Sequence, residues 1–258
     1  MRLDAVIAAA YVEVQSRFGF KPDVRRRVNA LLRRPVEADF RALVHYRHEH
    51  SRVILDVGAN RGETIAAIRL YQPAAPIVAF EPNPVLARSL ARRFGHDPAV
   101  RIENTGLGRA AGTFDLYVPY YKGVPFDGLA SFREQEAADW LNGDRLAGFD
   151  PSHQVIEKFS CQVRPLDALR LAPGLIKIDV QGLEADVIAG ARATLEAWLP
   201  PILMENNQPE RDAAELLALG YAPHAWRDGR LVAGQSGALN TFYVHPRGQA
   251  AFDPAIVA

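Results

Sequence analysis

Val53-Ile54-Leu55-Asp56-Val57-Gly58-Ala59-Asn60-Arg61-Gly62 is the stretch from which the rest of the chain can be placed. Three apolar β-formers lead into an acid, a glycine and, four residues later, a second glycine, after which Glu63 to Leu70 has helical spacing. This strand–loop–helix order puts backbone N–H groups and a helix N-terminus at the carboxyl end of a strand, where open α/β sheets bind ligands. A second strand, Ile77 to Phe80, ends in Glu81, 23 residues past Gly58. An acid at that interval can accept hydrogen bonds from both hydroxyls of an adenosine ribose.

The pattern therefore points to a nucleoside, with a plain βαβ crossover that binds nothing as the alternative. A dinucleotide is disfavoured: its pyrophosphate needs G-x-G-x-x-G, whereas Ala59, Asn60 and Arg61 separate the two glycines here. An NAD-dependent oxidoreductase also lacks its Tyr-x-x-x-Lys pair. S-adenosyl-L-methionine has no phosphate, and its ammonium and sulfonium suit a loop carrying Asp56 and exposed carbonyls.

The 258 residues suffice for one large α/β domain, and 30 basic residues balance 30 acidic ones, so global charge indicates neither a nucleic-acid groove nor an acidic substrate. The single cysteine, Cys161, reads as a buried strand residue and points to a reducing compartment. No apolar run approaches the ~20 residues that span a bilayer, and the N-terminus does not read as a signal peptide. The expectation is a soluble cytoplasmic protein without nucleic-acid or membrane partners.

Residues 1–50 carry amphipathic patterns over 3–18, 24–33 and Val36 to about His48, a helical extension that caps the acceptor side, contacts a second subunit in a homodimer, or merely covers a sheet edge. Residues 51–258 alternate strands and helices, which implies a three-layer α/β/α sandwich with a mostly parallel, Rossmann-like sheet. Strand three is expected over Val100 to Asn104, strand four over Leu175 to Asp179 and strand five over Ile202 to Glu205, with helices over Ala185 to Ala193 and Glu210 to Leu219. The tip at Asn104 either meets a base edge or is an ordinary Asn-Thr-Gly turn. Residues 109–158 are irregular and aromatic-rich, with strands expected at Thr113 to Val118 and Leu129 to Phe132. They read as a lid over the acceptor or as an extra hairpin on the sheet edge.

Asp56 to Gly62, Phe80-Glu81-Pro82-Asn83-Pro84, Ile176 to Glu184 and Met204-Glu205-Asn206 resemble, in order, motifs of the FkbM family of S-adenosylmethionine-dependent methyltransferases. Gln181 stands where that family more often has Glu. The resemblance implies seven strands with the last antiparallel, and methyl transfer to a hydroxyl of a small molecule such as a sugar, a macrolide or another secondary metabolite. A non-catalytic nucleoside-binding scaffold is the alternative. Together these readings place the cofactor on Asp56, Gly58, Ala59, Asn60, Gly62, Glu81, Pro82, Asn83, Asn104 and Asp179.

Asp179 and Glu205 end adjacent strands, so they are candidates to receive the acceptor's proton; His153, isolated in a loop, is a third. With Asn206 they also make a hard-oxygen set suited to Mg2+, as in catechol-type methyltransferases, which this layout resembles. Without a metal, Asp179 acts as a base or as an electrostatic partner of the sulfonium.

Overall fold

The computed structural model describes Pro35 and residues 37–257. The helices expected over 3–18 and 24–33 lie outside the described residues; the third is a 3-10 helix, Ala38–His45. The main sheet is built on β1 (Val53–Val57), β2 (Ile77–Phe80), β3 (Val100–Glu103), β8 (Pro173–Ile178) and β9 (Ile202–Glu205), which run parallel. Its near-continuous apolar strands suit a sheet covered on both faces. Ile54, Ile77 and Leu175 pack one way, onto Ile65, Ile68 and Leu90. Leu55, Val57 and Ile176 pack the other way, onto Val187, Ile188 and Leu195. The helices supplying those partners are α1 (Glu63–Tyr71) and α2 (Pro84–Phe94) on the first face, and α4 (Glu184–Ala189) and α5 (Arg192–Trp198) on the second.

The sheet has eight strands rather than seven. β12 (Asn240–Val244) is antiparallel to β9 and to β10 (Ala222–Arg227), and β11 (Arg230–Ala233) extends the edge. The extra strand follows from Asp228-Gly229, both at positive φ, a two-residue turn whose twist continues directly into a hairpin.

Two expected helices are each broken in two. The first splits at Gly190, where any Cβ would run into the Gly108 carbonyl, so α4 ends and α5 begins around a close approach of another segment. The second becomes α6 (Pro209–Asp212) and α7 (Ala214–Ala218), closed beyond by Gly220 at φ 87°.

The segment between β3 and β8 forms its own sheet. β4 (Gly106–Leu107), β7 (Gln154–Arg164), β5 (Gly112–Tyr121) and β6 (Val124–Pro125) lie in the order 4-7-5-6, with β5 and β7 paired antiparallel over ten residues. The strand expected at Leu129 to Phe132 is not formed. A 3-10 turn over Asp127–Leu129 uses up its start, leaving one bridge between Tyr117 and Ser131. α3 (Glu134–Trp140) follows, and Cys161 is buried in β7 beside Leu116 and Val118.

Candidate functional site

The loop after β1 is held open by backbone geometry. Gly58 (φ 85°) and Asn60 (φ 45°) are left-handed, and the N–H groups of Gly58 and Ala59 both donate to the Phe80 carbonyl at 3.0 Å. A Cβ on Gly58 would lie far inside contact distance of the Asp179 carbonyl oxygen, so the loops after β1 and β8 touch only because this residue is glycine. Gly62 is the left-handed N-cap of α1, where a Cβ would meet Phe94 and Leu90.

Glu81 is 5% exposed at the end of β2. Its Oε2 accepts the Asn60 N–H at 2.7 Å and its Oε1 the Asn83 N–H at 2.8 Å, so the acid fixes the glycine loop while each oxygen keeps a lone pair for a ligand hydroxyl. Burial pushes its pKa up to about 7. The Asn83 side chain caps α2 through the Val85 N–H, and Pro82 and Asn83 line the same cleft as Glu81. The Asn104 amide nitrogen donates to the carbonyls of Glu81 and Pro82 and so braces the turn after β2.

Asp56 lies beneath the loop, 0% exposed, and its carboxylate has no hydrogen-bond partner among the described residues. It lines none of the cavities along the rim. Burial outweighs the nearby Lys177 ammonium and raises its pKa to about 8. Lys177, opposite Asp56 in register and also buried, places Nζ 3.6 Å from Asp179 Oδ2.

The ends of β8 and β9 bring Asp179 and Glu205 together. The Gln181 amide bridges them, donating to Asp179 Oδ1 and to Glu205 Oε2 at 3.0 Å each, and Asn207 also donates to Glu205. Burial first, and the neighbouring Asp179 carboxylate second, push Glu205 up to about 7. Burial works to raise Asp179 as well, but Lys177 and the hydrogen bonds from Glu205 and Gln181 outweigh it and hold this carboxyl below its usual range. The two acids are thus shifted in opposite directions, Glu205 holding its proton more tightly than Asp179.

The acid–acid–amide set expected for Mg2+ is not assembled. Asn206 is committed elsewhere, donating to the Gly237 carbonyl and accepting from the Thr241 hydroxyl at 2.8 Å each. Among the described residues no group of three or more His, Cys, Asp or Glu side chains is arranged to hold a metal. His153 is 52% exposed, 3.9 Å from Asp150 in its own turn, and lines none of the clefts around Asp179 and Glu205.

Two cavities meet at Gln181. The cleft holding Gly58, Asn60, Glu81 and Asp179 shares Leu107, Ser131, Phe132, Gln181 and Leu183 with a larger cavity of about 460 Å3, whose remaining wall includes Phe114, Trp140 and Arg211. Asp127, from the insert, binds Arg61 of the glycine loop and so ties the insert to the cleft. The bridging role of Gln181, the contact from Asn207 and this tie go beyond what the sequence pattern predicts. Only the polar character of Gln181 and Asn207 beside the acids signals the first two. No helix among the described residues is long and apolar enough to cross a membrane.

An open, mostly parallel α/β sheet with a buried acid after its second strand, a glycine loop and a carboxylate pair on its carboxyl rim defines the doubly wound class of ligand-binding proteins. The sequence matches the methyltransferase FkbM domain over residues 56–228. The chain belongs to the FkbM methyltransferase family. It is 29% identical over 184 residues to the AMB antimetabolite synthetase AmbE of Pseudomonas aeruginosa, covering 63% of this chain but 9% of that protein. With the 2-O-methyltransferase NoeI of Sinorhizobium fredii it shares 25% identity over 166 residues, 55% of this chain and 58% of the relative. With the methyltransferase sdnD of Sordaria araneosa it shares 27% over 183 residues, 64% and 70% of the two chains. The chain thus spans less than two thirds of the first two relatives.

Proposed function

We propose that this protein transfers a methyl group from S-adenosyl-L-methionine to a hydroxyl of a small molecule seated in the cavity of about 460 Å3 between the insert and the ends of β8 and β9. The observation that carries the reading is the Asp179–Gln181–Glu205 unit: Asp179 lines the nucleoside cleft, and Gln181, which bridges the two acids, lines both that cleft and the larger cavity. The residues present suit the cofactor: Glu81 keeps acceptor capacity toward a ribose, and the loop beside it has no side chain at Gly58. When bound, the cofactor supplies an electrophilic methyl carbon. With it bound, Glu81 would orient the nucleoside, Phe132 and Leu183 would exclude water, and the carboxylate pair would take the hydroxyl proton while the methyl group passes from sulfur to the acceptor oxygen and S-adenosylhomocysteine leaves. The name of NoeI, a 2-O-methyltransferase, supports a hydroxyl acceptor. The volume and the aromatic wall at Phe114, Phe132 and Trp140 suit a molecule of sugar size or somewhat larger.

The test is transfer of labelled methyl to a panel of sugars and macrolides, together with cofactor titration. Asp179→Asn should lower turnover more than about tenfold while cofactor affinity falls less. Near-normal turnover in that variant would remove Asp179 as the proton acceptor, and persistent absence of both binding and transfer in the wild type would end the reading.

A further inference from the structure

The nucleoside cleft does not end at the glycine loop. Past Gly58, Asn60, Asp127 and Asp179, which line both, it opens into another cavity of about 370 Å3. This is the direction available to whatever extends beyond a ribose held at Glu81, because the opposite end of the cleft leads to the acceptor cavity. One wall of the extension comes from outside the matched domain: it is Glu37, just ahead of the 3-10 helix at Ala38–His45.

Three observations give Glu37 a role. It is held, since its Oε2 accepts from the Asn240 amide at 2.8 Å, and the same amide donates to Asp39 at 3.1 Å. Its anchor is rigid, because Asn240 is buried at the start of β12, opposite Glu205 in register. Its charge is uncompensated among the described residues, because the partner is a neutral amide, whereas Asp127 faces Arg61 and Asp179 faces Lys177. A fixed, half-buried carboxylate without a counter-cation lowers its free energy by taking a cationic donor from a ligand.

We infer that Glu37 is a cofactor-binding residue that accepts a hydrogen bond from the α-ammonium at the amino-acid end of S-adenosyl-L-methionine. The inference rests on the methyl-transfer reading and adds a residue to it. The cofactor is gripped at both ends by carboxylates, Glu81 from the sheet and Glu37 from the segment before it.

Calorimetric titration with three ligands tests this: S-adenosylmethionine, S-adenosylhomocysteine and 5′-methylthioadenosine, the last having no amino-acid end. Glu37→Ala should weaken the first two by about tenfold or more, and Glu37→Gln by less, while methylthioadenosine binds both variants as it binds the wild type. Equal weakening of all three ligands would show that Glu37 only shapes the loop, and unchanged affinity for all three would show that it touches nothing; either result overturns the inference alone. Wild-type protein that binds none of the three overturns the cofactor reading, and this inference with it. Matched melting temperatures of the variants exclude misfolding as the cause of a selective loss.

Discussion

The main sheet and the insert's sheet are built on opposite plans. β1, β2, β8 and β9 are buried almost without interruption, so their geometry is fixed by two apolar layers, and the charged groups they carry, Asp56, Lys177 and Glu205, lie toward their carboxyl ends. β5 buries four of its ten residues and β7 only Cys161 and Val163 of its eleven, and apart from their shared ladder they are packed on two small clusters, around Tyr121 and around Val118. The difference separates two duties. A sheet sealed on both faces holds groups that tolerate little displacement, while a half-exposed sheet supplies walls whose residues can be exchanged at low cost.

The sharpest way to break this contrast is Gly58→Val. It forces a Cβ against the Asp179 carbonyl at a φ of 85°, with no flexible side chain to yield, so a loss of about 3 kcal/mol or more is expected. A thermal melt and a cofactor titration should both show it; a variant that melts and binds like the wild type would mean the two loops are not fixed to each other.

The second effect is on pH dependence. Asp56, pushed up to about 8, and Glu81 and Glu205, pushed up to about 7, bind more protons folded than unfolded between about pH 4 and 8, because their unfolded values lie near the ordinary carboxylate range. Stability should therefore fall as pH rises through that window. The melting temperature should drop between about pH 5 and pH 8, and Asp56→Asn should flatten the slope while raising the midpoint at the upper end. A wild-type midpoint that climbs or stays level over that range would contradict the charge state assigned to the rim.

The smallest effect falls on the insert. Trp140→Ala removes part of the aromatic wall of the cavity proposed for the acceptor, and should raise the acceptor KM by about tenfold with cofactor affinity and melting temperature little changed. If affinity for the cofactor fell as much, the insert would be supporting the rim rather than walling a separate cavity.

The same contrast explains what can be read from sequence. Val53 to Gly62 and Ile77 to Glu81 are legible because apolar runs ending in an acid or a glycine carry strand, loop and ligand information together. The insert is legible only in part: Thr113 to Val118 falls within β5, but Leu129 to Phe132 alternates like a strand while Asp127-Gly128 starts a turn that consumes it. At the site, Asp179 and Glu205 follow from strand order, but Asn206 comes one residue after Glu205 and turns to Gly237 and Thr241 instead. Adjacent residues leaving a strand diverge, and which of Asn206 and Asn207 reaches the acids depends on the chain's path after β9. Gly190 shows its purpose only once Gly108 lies against it.

The pairing of Leu107 with Arg164 means that the insert's chain enters and leaves through a single doorway. Everything between passes out and back without crossing the main sheet, and Gly190 keeps the threshold clear by letting Gly108 lie against the turn between α4 and α5. Such a segment behaves as a cassette: exchanging residues 108–163 for the counterpart of a relative would redecorate the room proposed for the acceptor and leave the strands of the main sheet in place, provided the replacement keeps the tie that Asp127 makes to Arg61 and the insert's share of the neighbouring cleft. Change of acceptor by recombination at one seam is thus open to this architecture, without any rebuilding of the strands that carry the methyl-transfer rim.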